Sequence, residues 1–286
     1  MVRSKRRAFT LIELLVVISI IALLLSILMP GLQKAKQHAL RMLCRTNLHS
    51  YGIATTMYLN EYDDRFSDPW QAIFDSCQGQ GGHEKYQCDG SHITFPGEGQ
   101  RYCRWHNIEY SLDANPEYAG PMWEFLEAEE INLCPVFAKV AQKRYKEHEL
   151  HNDSVAPNAD PLFGYSKNAY LGRNIFFEGS VLKASQVKSP TRTFVWAEEN
   201  MWTIPQISTA VLNDTALLAR TQYDRPTAIA DAFATFHSAK DAEMNEGTGN
   251  AVMMDGSIEA VQPYNDGTFR KAWPSLGGVF KDDDRK

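Results

Sequence analysis

At 286 residues the chain has room for an anchor plus one sizeable domain, or two small ones. Its formal net charge is -6, and Arg3, Lys5, Arg6 and Arg7 all precede residue 8, so the remainder of the chain is more acidic still. That balance, with no basic patch interleaved with aromatics, argues against a nucleic-acid surface. A mean hydropathy of -0.37 with 12 Tyr and 6 Trp describes a soluble, well-cored domain hung on a single anchor.

The basic leader ends in a small residue, Ala8, and Phe9 opens a run that stays apolar or hydroxylated to Met29 apart from Glu13. Phe9 to Met29 makes roughly 30 Å of helix, the thickness of a bilayer's hydrocarbon core. Lys and Arg stay on the cytoplasmic side, which places everything after Pro30 outside the inner membrane. A cleaved secretory signal has a shorter apolar stretch and a small-x-small site, neither of which MPGLQKAKQ supplies. A plain anchor fits the length and charge but leaves Glu13 unexplained, since a carboxylate at that depth costs about 3 kcal/mol and marks a function.

The heptapeptide AFTLIEL resembles the processing motif of the type IV pilin and type II secretion pseudopilin family, in which a small residue precedes F-T-L-[IV]-E-L. Ala8 stands where the family usually has Gly, so the resemblance implies slower cleavage at an otherwise intact site. It implies cutting between Ala8 and Phe9 by a prepilin peptidase/methyltransferase, then N-methylation of Phe9. Glu13 becomes the fifth residue of the mature chain, and Pro30 falls where family members carry a helix-kinking proline. In a filament of pilin subunits held by inner-membrane assembly machinery, the amine of one Phe9 can neutralise the Glu13 of a neighbour. Pairing of that kind relieves the cost of a buried charge.

Beyond Pro30, Leu32, Ala35, Ala39, Leu43, Ile53, Ala54 and Met57 continue a one-sided apolar stripe, predicting one helix from residue 9 to about residue 60, roughly 75 Å long. Gly52 weakens it by about 1 kcal/mol relative to Ala. The next signals resemble a planctomycete-type subfamily of pilin-like proteins. They are C-x-x-N-L (Cys44, Asn47, Leu48), an acidic helix end (Tyr58, Asn60, Tyr62, Asp63), Cys134-Pro135, and Tyr165 with Asn168. Near the C-terminus come His237, Gly247, Gly249, Asn250 and the Asp255-Gly256 pair, with a longer gap after the His than that pattern has.

Residues 67–121 read as an insertion or binding loop, rich in Gly, Cys and His. Cys77, Cys88 and Cys103 interleave with His83, His92 and His106 at spacings that match no close-paired zinc pattern. An exported chain meets oxidising conditions, so a loop disulfide is the favoured reading over zinc. The expected main bridge joins Cys44 to Cys134, tying the long helix to the domain; 5 cysteines leave one odd thiol.

Residues 122–150 have helical spacing interrupted by Pro135, and 151–161 read as loop. Strands are predicted at Phe163–Tyr165, Ser185–Val187 and Thr193–Ala197, then a hairpin of Asn250–Met254 and Ser257–Val261 around a two-residue Asp255-Gly256 turn. Ala251, Met253 and Ile258 are assigned to the face under the long helix.

The chain has no Ser-His-Asp order, phosphate loop, dinucleotide fingerprint or HExxH. Glu198 and Glu199 beside Trp196, with His237 and Asp255, form an imaginable acid-base set, though carboxylates at a strand end more often anchor hydrogen bonds. No cofactor is expected; besides zinc the alternative is calcium, with Asp255, Asn265 and Asp266 as oxygen donors but no EF-hand spacing. The expectation is therefore a non-enzymatic α+β, pilin-like protein: a long N-terminal helix packed on an antiparallel sheet with a disulfide-stapled insertion. Its parts are leader 1–8, transmembrane helix 9–29, amphipathic extension 30–62, periplasmic domain 63–280 and charged tail 281–286. The function expected is a structural subunit of a pilus-like or pseudopilus filament. The alternative is a membrane-anchored periplasmic binding or hydrolytic domain that uses a prepilin-type signal.

Overall fold

The computed structural model describes residues 11–73, 119–126, 128–144, 163–172, 180–200, 215–218, 231–241 and 243–263, the short stretches 87–88, 92–94, 101–103, 221–222 and 225–229, and Trp202 and Ile204. It divides into two units, Met1–Met42 and Leu43–Lys286. Helix α1, Leu11–Glu61, runs unbroken through Pro30. Within its apolar part the Ser19 and Ser26 hydroxyls donate to the carbonyls of Val16 and Leu23 at 2.8 and 2.7 Å, so neither asks for an outside partner. The helix stops at the acidic turn, where Asp63 and Asp64 adopt left-handed φ values of 52° and 65° and the Asp64 N–H donates to the Leu59 carbonyl.

A five-stranded sheet forms the centre of the domain, in the order β10-β9-β5-β4-β6. Its strands are β4 (Tyr165–Asn168), β5 (Phe194–Glu198), β6 (Ala216–Leu217), β9 (Gly249–Met253) and β10 (Ile258–Val261). Only β4 and β6 run parallel. Shorter pieces are β1 (Gln87–Cys88), β2 (His92–Thr94) and β3 (Arg101–Cys103), which form an antiparallel sheet within the insertion, and the pair β7 (Thr221–Gln222) and β8 (Arg225–Ile229). Helix α2 spans Trp123–Leu126 and α3 spans Pro135–Arg144.

Both faces of the sheet are covered. One packs Trp196, Tyr165 and Val252 against Leu48, Tyr51 and Tyr58 of α1, together with Phe137 of α3. The other buries Phe194, Ala197, Leu217, Phe233, Ala251 and Met253. The α+β expectation of a long helix on a mainly antiparallel sheet holds, and so does the Cys44–Cys134 bridge.

Several local expectations change. Of the predicted α1 stripe only Ala54 is buried, while Leu32, Leu43, Ile53 and Met57 are exposed, because the face on the domain is that of Cys44, Leu48, Tyr51 and Tyr58. The strand expected at Phe163–Tyr165 starts only at Tyr165 and runs to Asn168. Val252, not Ala251 or Met253, lies under the helix; Ile258, paired with Val252, is on the expected side. Every residue of β9 is buried, so apolar alternation carried no phase to assign. Ser185–Val187 is not a strand but part of a 3-10 turn, Ala184–Gln186, because Gln186 Oε1 folds back to accept the Leu182 and Lys183 N–H groups, both at 2.9 Å. Pro135 starts α3 rather than interrupting a helix, since a first-turn proline loses no intrahelical bond. The hairpin loop has three residues, Met254 to Gly256, with Gly256 at φ 84° in the left-handed position that glycine suits.

Candidate functional site

Two features organise the chemistry of the chain. The first is the N-terminal part of α1. Residues 11–39 are exposed throughout, with Leu11 at 79% and Ile27 at 72%, and Glu13 is set among aliphatic neighbours. A helix apolar all round and uncovered needs lipid or other apolar helices around it. It is the one helix among the described residues long and apolar enough to cross a membrane. The cleavage residues Ala8 and Phe9 lie outside the described residues.

The second feature is a buried polar network beneath the other half of α1. Cys44, Asn47, Leu48, Tyr51, Thr55 and Tyr58 recur at helical spacing and are all buried. Cys44 is bonded to Cys134, which sits just before α3 and whose carbonyl accepts from the Ala138 N–H of that helix. Asn47 Nδ2 donates to the Leu133 carbonyl at 3.1 Å, and the Tyr51 hydroxyl donates to Asn132 Oδ1. Tyr165 Oη donates to the Cys44 carbonyl at 3.3 Å, and Trp196 Nε1 donates to Thr55 Oγ1 at 3.0 Å. Burial, joined by the charge of Glu198, pushes the Tyr165 phenol well above its usual range.

His237 and Glu198 extend this network. His237 Nε2 lies 2.9 Å from Glu198 Oε1 and 3.6 Å from Cys134 Sγ. The other carboxylate oxygen, Oε2, accepts from the Asn250 backbone N–H and Nδ2 at 2.7 and 2.8 Å. His237 is held by paired backbone bonds to Thr248, at 3.0 and 2.8 Å. Those bonds need bare backbone at the neighbouring glycines: a Cβ on Gly247 would meet the Thr235 carbonyl oxygen at 1.8 Å, and one on Gly249 would meet that of Ala234 at 2.9 Å.

The sequence signals C-x-x-N-L, Cys134-Pro135, Tyr165, His237, Gly247, Gly249 and Asn250 thus converge on one buried cluster. Glu198 is 0% and His237 3% exposed, closed to any substrate, so the carboxylate of the imagined acid-base set is a hydrogen-bond anchor. Asp255 is not with them. It occupies the exposed hairpin turn, where Oδ1 accepts from the Ser257 N–H and hydroxyl at 3.0 and 2.7 Å. Its proposed calcium partners Asn265 and Asp266 lie outside the described residues, as do Cys77, His83, His106, the side chains of Cys88, His92 and Cys103, and the tail.

Sequence reasoning missed Tyr51, Asn132 and Thr55, and above all Lys167. Its Nζ donates to the Ser67 carbonyl and, at 2.8 Å, to Ser67 Oγ, and stands 5.5 Å from the Phe66 ring centroid. Burial lowers its pKa from 10.5 to about 7, against a partial restoring pull from Asp68.

Residues 3–29 match the family described as the prokaryotic N-terminal methylation motif. The chain carries a prepilin-type signal. The match supports a type IV pilin-like family and a processed, membrane-anchored protein. No curated protein and no solved structure matches the chain.

Proposed function

We propose that this protein is a structural subunit of a type IV pilus-like or type II secretion pseudopilus filament, of the planctomycete-type subfamily. In this reading prepilin peptidase removes residues 1–8 at the cytoplasmic face and methylates the Phe9 amine. The mature subunit then waits in the inner membrane with its domain in the periplasm, and assembles with other subunits through α1. The observation that carries the reading is the methylation motif over residues 3–29, which takes in the uncovered apolar start of α1 with its one acid at Glu13.

Glu13 supplies the register. In the hydrocarbon core its carboxylate costs about 3 kcal/mol unless neutralised. A neighbour's Phe9 amine, created by cleavage, offsets that cost only when the two helices are staggered to bring them together.

Glu13→Ala tests the assembly step. The variant is expected to stay membrane-bound and fully processed but to be absent from sheared filament or crosslinked-oligomer fractions; normal incorporation would refute the role. The processing step is tested by Ala8→Leu, whose larger side chain cannot replace the small residue before the cut. Intact mass of the extracted protein should retain the leader and lack the N-methyl group, and a normal mature mass would exclude the assigned cleavage site.

A further inference from the structure

We propose that, when the Cys44–Cys134 bond is reduced, Cys44, Cys134, His237 and Glu198 form a buried site for a thiophilic divalent cation, with zinc the best fit. The two Sγ atoms, a His nitrogen and a carboxylate oxygen of these residues all lie within 4.8 Å of one another, and all four residues are buried. A tetrahedral zinc with its usual bond lengths holds its ligand atoms roughly 3.3–3.8 Å apart. Small side-chain rotations therefore close the cage, the Glu198–His237 contact opening from 2.9 Å as the sulfurs separate.

The donor set selects the metal class. Two thiolates, an imidazole and one carboxylate oxygen suit zinc or its spectroscopic substitute cobalt, whereas calcium and magnesium require mostly oxygen. Surrounding bonds already orient the donors. Glu198 Oε2 is fixed by the two Asn250 donors, leaving Oε1 to turn from His237 to a metal. The ligands come from α1, from the residue before α3, from the end of β5 and from the segment preceding β9, so a bound ion would tie together the parts of the domain that the disulfide now links. With four protein ligands and no open position, such a site is structural rather than catalytic.

The conversion balances simply. A phosphine reductant and one water become the phosphine oxide while the disulfide gains two electrons and two protons. Binding of the dication then releases those two protons as the sulfurs coordinate as thiolates.

The test uses full-length protein in detergent with Cys77, Cys88 and Cys103 changed to Ser, which removes the insertion thiols. After phosphine reduction, titration with Co2+ should give one equivalent bound, a thiolate-to-cobalt charge-transfer band and the strong visible bands of tetrahedral coordination, all displaced by Zn2+. The oxidised protein should show none of these. His237→Asn should shift the visible bands and weaken binding at least about tenfold. The proposal is overturned if the reduced protein keeps its near-ultraviolet dichroism yet binds no Co2+, or if the His237→Asn bands are unchanged. It is equally overturned if reduction abolishes that dichroism and Zn2+ does not restore it.

Discussion

Lys167 shows how far a single buried group can depart from what its neighbours in sequence suggest. In Tyr-Ser-Lys-Asn a lysine reads as the solvent-facing member of an alternating strand, but β4 is buried along its whole length and the amine turns inward onto Ser67. The folded pKa, about 7, lies below the unfolded value near 10.5. Between those two values the unfolded chain binds the extra proton, so stability must rise with pH across that window and level off below it. We predict that unfolding of the full-length protein in detergent gains a few kcal/mol between pH 7 and pH 9.5 from this residue. Lys167→Met should flatten the slope, and an identical slope in both proteins would show that Lys167 does not titrate in the fold. Glu198 at a strand end reads as a hydrogen-bond anchor, which it is, but only the register of β5 against β9 reveals that Asn250 is the partner of its carboxylate.

At the level of elements, the long apolar run made α1 readable, but not the face it turns to the domain. Of the predicted stripe Leu32, Ala35, Ala39, Leu43, Ile53, Ala54 and Met57 only Ala54 is buried, and Cys44, Leu48, Tyr51 and Tyr58 lie on the sheet instead. The hairpin was readable from Asp255-Gly256, whose left-handed glycine the turn requires. Strand faces were not, because a sheet covered on both sides is apolar on both sides; nor was the Ala184–Gln186 turn, which depends on one side chain folding back. Gly52 looked like a defect in α1, yet it faces β9 at close range: an added Cβ would stand 2.9 Å from Val252 Cγ2. On an exposed helix Gly→Ala stabilises by about 1 kcal/mol. Here we expect the sign to reverse, with Gly52→Ala costing about 1 kcal/mol or more through a stiff β-branched neighbour. A double-mutant cycle with Val252→Ala checks this: the Gly52→Ala cost should shrink or vanish once the methyl groups are gone. Additive effects would mean that the two residues do not press on each other.

For the whole molecule, two separate driving forces act on one helix. The apolar part of α1 is held by removal of its side chains from water into lipid, a term that owes nothing to the domain's core. The second part belongs to a domain whose net stability is of the order of 5–15 kcal/mol, and the Cys44–Cys134 bond spans a sequence separation of 90 within it. Closing a loop of that length in the unfolded chain is worth roughly 4–5 kcal/mol in the chain-entropy view, a large share of the total. Replacing both cysteines, as Cys44→Ala with Cys134→Ala, avoids leaving a lone thiol. The expected result is a much lower denaturation midpoint and faster degradation in cells, with carbonate-resistant membrane attachment unchanged. If attachment and stability fell together, anchor and domain would not be energetically independent. If neither fell, the bonds around Asn47, Tyr51 and Tyr165 would suffice to hold α1 on the sheet, and the disulfide would add no stability of its own.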